Sequence, residues 1–284
     1  MSFALNKKTL IGKFRFKRLF RSTLIILIIL YLFVMISVYF VADSIIFQPQ
    51  QSFYKDDSSI IKLTTNSGEK ISAKYFPNPN AEYTILFSHR NAEDIDDATT
   101  FLEQLQNAGF SVLSYDYRGY ETNEGKPSEE NSYQDIETAY KYLTDELKIP
   151  PEKIIIHGRS LGGAVSIDLA SRKICGGLIV ESSFVSAFRV ITKYKVFPFD
   201  KLDNLSKIQH IKCPILFIHG KKDNLIHFWH SETLFANANE PKVSFWVDEA
   251  GHNNVFEKSK ESYLQAIQNF SATINFPRGR AARY

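Results

Sequence analysis

The chain has 284 residues, 44% hydrophobic and 23% charged, the make-up of a globular protein long enough for one large α/β domain or two small ones. Its formal net charge of +3 is unevenly spread: residues 1–42 hold seven bases and no acid, leaving 27 bases against 31 acids, a net of −4, for the remainder. A mildly acidic body without a nucleic-acid-binding motif argues against a nucleic-acid partner, and the two cysteines, Cys175 and Cys213, argue against a disulfide framework.

The first element is the uncharged stretch "STLIILIILYLFVMISVYFVA", Ser22 to Ala42. As a helix at about 1.5 Å per residue, it spans roughly 30 Å, the thickness of a bilayer core. A cleaved signal peptide would have a shorter apolar run and a small-x-small cleavage site, whereas this run ends in Phe40-Val41-Ala42. An uncleaved signal anchor is therefore expected. Seven bases precede the run and Asp43 follows it, so the positive-inside rule keeps the N-terminus cytoplasmic and places the large domain on the non-cytoplasmic side. The expected organisation is a basic tail over 1–21, a transmembrane anchor over 22–42 and a catalytic domain over 43–284, with an insertion at about 184–213.

Beyond the anchor, "SIIKLTT" and "KISAKYF" alternate in polarity and predict an antiparallel pair around Asn66-Ser67-Gly68. "YTILFS" reads as a buried strand, Ile95 to Asn107 as a helix, and "FSVLSY" as a second buried strand. "SYQDIETAYKYLTDEL" has helical spacing and is closed by Pro150-Pro151. "KIIIH" is a strand, Leu161 to Ser171 a helix, "GLIVE" and "PILFIHG" are strands, "KVSFWVD" is the last strand, and a helix from about Val255 to Phe270 ends the domain. Short apolar strands alternating with helices predict an α/β fold, its mostly parallel sheet covered by helices on both faces. Ligands then bind outside the carboxyl ends of the strands.

Three of those strand ends carry, in order, a serine, an acid and a histidine. "KIIIH" runs into Gly158-Arg159-Ser160-Leu161-Gly162, where glycines clear the side chains around a sharp strand-to-helix turn and leave the hydroxyl exposed. The helix starting at Leu161 offers free N–H groups at its positive end, suited to a developing oxyanion. Asp223 follows "PILFIHG" and His252 follows the last strand, so a histidine base and its orienting acid are available to activate Ser160. Asp203 and Asp248 are the competing aspartates weighed for this role; one falls in the insertion and the other is expected at the end of the last strand. His89, His157 and His219 are read as structural, and His227 and His230 as rim residues. No phosphate-cradling loop, metal-ligand cluster or dinucleotide fingerprint occurs, so no cofactor and no metal are expected.

The segments "YTILFSHRNAED", "SYDYRGYETNEGKPSEENSYQDIETA", "IHGRSLGG", "PILFIHGKKD" and "VDEAGHNN" resemble the α/β-hydrolase superfamily. They are most similar to the branch of α/β-hydrolase-domain proteins that includes protein depalmitoylases and membrane-anchored lysophospholipases. The resemblance covers about residues 45–270. It implies the α/β-hydrolase fold, a triad of Ser160, Asp223 and His252, and an oxyanion hole built from the backbone N–H groups of Leu161 and Asn91. Two positions depart from the pattern: Arg90 stands where the family has glycine in His-Gly-Asn, with backbone strain expected there, and Glu121 replaces a glycine in "DYRGYG". The N-terminal cysteine cluster by which the depalmitoylases attach is also missing here.

A tethered site and the aromatic insertion, with Phe184, Phe188, Val190, Phe197 and Phe199 as candidate groove residues, favour a serine hydrolase acting on carboxylic ester or thioester bonds of lipids or acylated proteins. A serine aminopeptidase, using an acid among Glu93, Asp94, Asp96 and Asp97 to hold a substrate amine, and a catalytically weak scaffold protein are the alternatives.

Overall fold

The computed structural model describes residues 2–49 and 57–274, with side chains from residue 15 onward. The chain separates into two compact units, residues 1–45 and 46–284. The first unit holds helix α1 (Ser2–Ile46) up to residue 45, and Ile46, its last residue, belongs to the second. From Arg15 to Ile46 this helix is long and apolar enough to cross a membrane by length and composition, and its Leu24–Val34 stretch exposes large apolar side chains along its length.

In the second unit eight strands form one sheet in the order β1-β2-β4-β3-β5-β6-β7-β8. Strand β1 (Ile60–Thr64) pairs antiparallel with β2 (Lys70–Phe76), and β2 pairs antiparallel with β4 (Ser111–Tyr115). The remaining ladders, from β4 through β3 (Thr84–Ser88), β5 (Ile154–Arg159), β6 (Gly177–Glu181) and β7 (Ile215–Gly220) to β8 (Lys242–Val247), are parallel. The fold class read from the sequence is the one observed.

Successive strand residues point to opposite faces, so the central strands feed two cores. On one face Leu86, Leu113, Ile156, Val180 and Phe217 meet residues of α3 (Glu129–Lys141) and α4 (Leu161–Arg172). On the other, Ile85, Phe87, Val112, Ile155 and Ile218 pack against Phe101 and Leu105 of α2 (Ile95–Asn107) and Tyr263 and Ile267 of α8 (Val255–Ile274). Burial on both faces explains why these strands read as continuous apolar runs rather than alternating ones.

The insertion holds two short helices, α5 (Ala187–Ile191) and α6 (Asn204–Ile208), and α7 (Trp229–Asn237) follows β7; none of the three was expected from periodicity. Cys175 and Cys213 are free thiols with their sulfurs 3.2 Å apart, Cys175 buried and Cys213 half-buried.

Candidate active site

The strand-to-helix turn after β5 holds Ser160 at φ 52° and ψ −113°, a conformation forbidden to most side chains and tolerated where the surroundings over-determine it. The neighbouring glycines are required sterically. A Cβ on Gly158 would fall 2.1 Å from the Gly162 carbonyl oxygen, and one on Gly162 would fall 2.0 Å from the Ser88 carbonyl oxygen. Backbone bonds then fix the turn: Ser160 N–H donates to Glu181 O at 2.8 Å, and Ser183 Oγ donates to Ser160 O at 2.9 Å.

Ser160, His252 and Asp223, far apart in sequence, meet on the carboxyl rim of the sheet. With the imidazole proton on Nδ1, Ser160 Oγ donates to His252 Nε2 at 3.1 Å, and His252 Nδ1 donates to Asp223 Oδ2 at 2.7 Å. Asp223 is fixed from its other side, its Oδ1 accepting the N–H groups of Leu225 (2.9 Å) and Ile226 (2.7 Å). Burial would raise the Asp223 carboxyl, but hydrogen bonds to His219 and His252 outweigh it and hold the group well below the usual carboxylate range. Asp223 is therefore a fixed negative charge beside the imidazole. Competing acids are elsewhere: Asp203 caps α6 by accepting from Ser206 N, and Asp248 lies past the end of β8, not on it, and pairs with Lys221.

Leu161 opens α4, so its N–H is one of the leading donors that lack an intrahelical acceptor. Asn91 lies in the loop after β3, and its side chain is tied down at both ends. Nδ2 donates to Ile46 O at 2.7 Å, while Oδ1 accepts from Gln48 N at 3.0 Å and from the Tyr120 hydroxyl at 2.5 Å. The strain expected at Arg90 is absent there; among the described residues of this loop, the positive φ falls on Ala92, at 54°. Arg90 is engaged instead. Its Nη1 donates to Asn253 Oδ1 at 3.0 Å, its Nη2 pairs with Glu93 Oε1 at 3.0 Å, and its backbone N donates to Glu93 Oε2. Glu121, by contrast, does occupy the glycine-favouring region, at φ 50°.

Sequence reasoning missed several supports of this rim. Buried Glu181, at the end of β6, pairs with Arg159 Nε at 3.1 Å and accepts from His157 and the Tyr263 hydroxyl. Burial pushes its pKa up, yet Arg159 and His157 prevail and bring it down to about 2. His219, read as structural, hydrogen-bonds Ser231 and the Ile226 carbonyl beneath Asp223. His230, read as a rim residue, is buried at 1% exposure, its Nδ1 accepting from Val185 N; burial, then the neighbouring His219 and Arg189 charges, lower its pKa to about 4. No local signal marks these contacts, because each partner comes from a distant element.

The acids considered for an amine anchor are partly committed: Glu93 pairs with Arg90, and Asp94 caps α2 by accepting from Asp97 N. Of the groove candidates, Phe184 lies in the core, whereas Phe197 and Phe199 stack on each other and Phe188 meets both edge-on, with centroids 5.7–5.9 Å apart. Two surface cavities of about 410 and 420 Å³ lie away from the serine, one around Cys175 and Cys213 and the other beside β1. Among the described residues no cluster of His, Cys, Asp and Glu is arranged to hold a metal ion.

An α/β-hydrolase domain family matches residues 81–276. The chain belongs to the α/β-hydrolase family. It is similar to human alpha/beta hydrolase domain-containing protein 17B, 38% identical over 221 residues that cover 76% of each chain. Protein aho-3 of Caenorhabditis elegans is 39% identical over 197 residues, covering 68% of this chain and 59% of its own. The fold is similar to that of the Pyrococcus furiosus esterase Pf2001, with a TM-score of 0.69 at 19% identity, covering 80% of this chain and 98% of the esterase. An esterase of Exiguobacterium antarcticum shares it at a TM-score of 0.58 and 15% identity, covering 74% and 98%. A hydrolase assignment follows from this family membership.

Proposed function

We propose that this hydrolase is a membrane-anchored serine hydrolase that cleaves carboxylic ester or thioester bonds of lipids or acylated proteins. The observation that carries the proposal is the unbroken hydrogen-bond chain Asp223–His252–Ser160, ending on a serine held in a strained turn at a helix N-terminus. In the proposed mechanism, Ser160 Oγ attacks the acyl carbonyl carbon while His252 Nε2 takes its proton. Asp223 keeps the imidazole in the accepting tautomer and stabilises the imidazolium. The negative charge on the carbonyl oxygen is met by the N–H groups of Leu161 and Asn91; removing one such donor typically costs about 10²–10³ in rate. Collapse breaks the bond to the alcohol or thiol, which leaves with the His252 proton. Water then attacks the acyl-enzyme with His252 as base, releasing the carboxylic acid and restoring Ser160.

Helix α1 supports the anchoring part, through its length, its apolar composition and the basic residues before it. On this reading the N-terminus is cytoplasmic, α1 spans the bilayer and the hydrolase domain lies on the non-cytoplasmic side. The test is hydrolysis of a series of acyl esters and acyl thioesters by the full chain in vesicles, beside Ser160→Ala. Turnover of some members by the wild type only is expected; inertness toward the whole series in a folded protein would overturn the reading.

A further inference from the structure

We propose that Cys175 and Cys213 are a modification site: a dithiol that closes to a disulfide by exchange with a small disulfide oxidant and so staples the starts of β6 and β7. This goes beyond the hydrolase reading and does not depend on it.

Two cysteines cannot make a framework, but they can make one bridge, and the fold brings these two together. Cys175 stands just before β6 and Cys213 just before β7, neighbouring parallel strands whose register pairs Leu178 with Ile215. Paired strands lie about 4.8 Å apart, within the range of Cα separations that a disulfide bridges. The side chains face each other, with Cys175 Sγ donating to Cys213 Sγ at 3.2 Å.

The backbone that presents the two thiols is held in place. Ile174 O accepts from the Tyr140 hydroxyl at 2.8 Å and Gly176 N donates to Ile154 O at 2.8 Å, so both neighbours of Cys175 are fixed. A Cβ on Gly176 would fall 2.3 Å from the Glu152 carbonyl oxygen, a closeness that glycine permits. Beside Cys213, Pro214 O accepts from Leu178 N at 2.9 Å. Little backbone movement therefore separates the dithiol from the bridge.

Access sets the order of attack. Both cysteines line the cavity of about 410 Å³, with Ile174, His210 and Lys212, at the amino-end rim of the sheet, opposite the serine. The hydrogen bond to Cys213, and then burial, push the Cys175 thiol well up, so it stays protonated. Half-buried Cys213 is thus the sulfur that meets the oxidant first.

In the first step the Cys213 thiolate attacks one sulfur of an oxidant RS–SR. A bond forms between Cys213 Sγ and that sulfur, the oxidant's S–S bond breaks, and the departing RS⁻ takes up the proton that Cys213 gave up. Cys175 then attacks Cys213 Sγ, the mixed disulfide breaks, and the second RS⁻ leaves with the Cys175 proton. Two protein thiols are oxidised by two electrons and one oxidant is reduced to two thiols. The bond closes the loop from 175 to 213, which holds the whole insertion, and so restricts the unfolded chain. On the non-cytoplasmic side proposed above, such bonds persist.

The test incubates the full chain in vesicles with oxidised glutathione or with dithiothreitol, alkylates the remaining thiols and maps the peptides by mass spectrometry. A peptide pair linked through Cys175 and Cys213, two hydrogens lighter than the reduced pair and cleaved by dithiothreitol, is expected. The oxidised form should melt about 10 °C above the reduced form. Cys175→Ser should stop with one glutathione on Cys213, and Cys213→Ser should take up none; glutathione on Cys175 in the latter would overturn the order of attack. Two alkylated thiols in the oxidised wild type, glutathione held stably on Cys213, or a bridge between two chains on a non-reducing gel would overturn the proposal. Equal melting in the two redox states would overturn the staple. The decisive comparisons are made on the wild type, so a variant that fails to fold decides nothing against them. Fluorophosphonate labelling of Ser160 in both redox states reports the hydrolase reading separately.

Discussion

Tyr120 donates its hydroxyl to the Asn91 carboxamide, and the same oxygen accepts the Gln48 N–H while the Asn91 amide reaches Ile46 O. The loop that carries the proposed second oxyanion donor is thereby tied to residues 46–48 and to the Tyr117–Tyr120 turn. Its backbone position depends on three bonds from outside the loop.

Tyr120→Phe removes one of those bonds without changing the packing. A typical hydrogen bond contributes about 1 kcal/mol, so kcat is expected to fall about fivefold with KM nearly unchanged. Asn91→Ala releases all three bonds and should approach the loss of a whole oxyanion donor. A steady-state comparison on one ester substrate checks both; an effect on KM alone would contradict the positioning role.

Arg90 bridges the oxyanion loop to Asn253, next to His252. The family glycine suggests that Arg90→Gly would relieve strain and raise activity, but the positive φ sits on Ala92 instead. Arg90→Gly is therefore expected to lower kcat several-fold, with partial recovery in Arg90→Lys. A rise in kcat would contradict this.

Glu121 is the departure where strain is real, at φ 50°. Glu121→Gly should stabilise the domain by up to about 1 kcal/mol, a rise of roughly 2–4 °C in Tm. A fall in Tm measured by calorimetry would show that the Glu121 side chain contributes more than its backbone costs.

Glu181 supplies a pH-dependent part of stability. Its folded pKa, about 2, lies below the ordinary value of 4.5, so the unfolded chain takes up a proton first on acidification. Its contribution is fully present above about pH 5 and fades as pH falls toward 2. Glu181→Gln is expected to cost on the order of 3 kcal/mol at neutral pH, leaving Arg159 buried without its partner. The gap from wild type should narrow in denaturant titrations at progressively lower pH; a gap independent of pH would contradict the assignment.

Asp223→Asn should leave the fold intact and lower kcat by about 10⁴, because the amide favours the wrong imidazole tautomer. Since Asp223 stays ionised well into acid, loss of wild-type activity on acidification should not track its protonation. Thermal melts beside kinetics separate the two effects.

Much of this was legible in the sequence because it is local. Buried parallel strands appear as apolar runs, and Gly158 and Gly162 announce the turn that presents Ser160. Asp223 and His252 follow from strand ends. What was not legible is long-range or weakly patterned: α5 and α6 are single turns, and α7 shows little segregation of polar and apolar faces. The burial of His230, the Glu181–Arg159 pair and the tether of Asn91 to Tyr120 each depend on partners from separate elements, which spacing does not encode.

The most direct test of the central claim is labelling of the full chain in native membranes with a fluorophosphonate probe, wild type beside Ser160→Ala, with the modified peptide mapped. Labelling at Ser160 in the wild type, none in the variant and a strong reduction in His252→Ala is the predicted result. A folded wild type that takes no label, or takes it on another serine, would contradict the account.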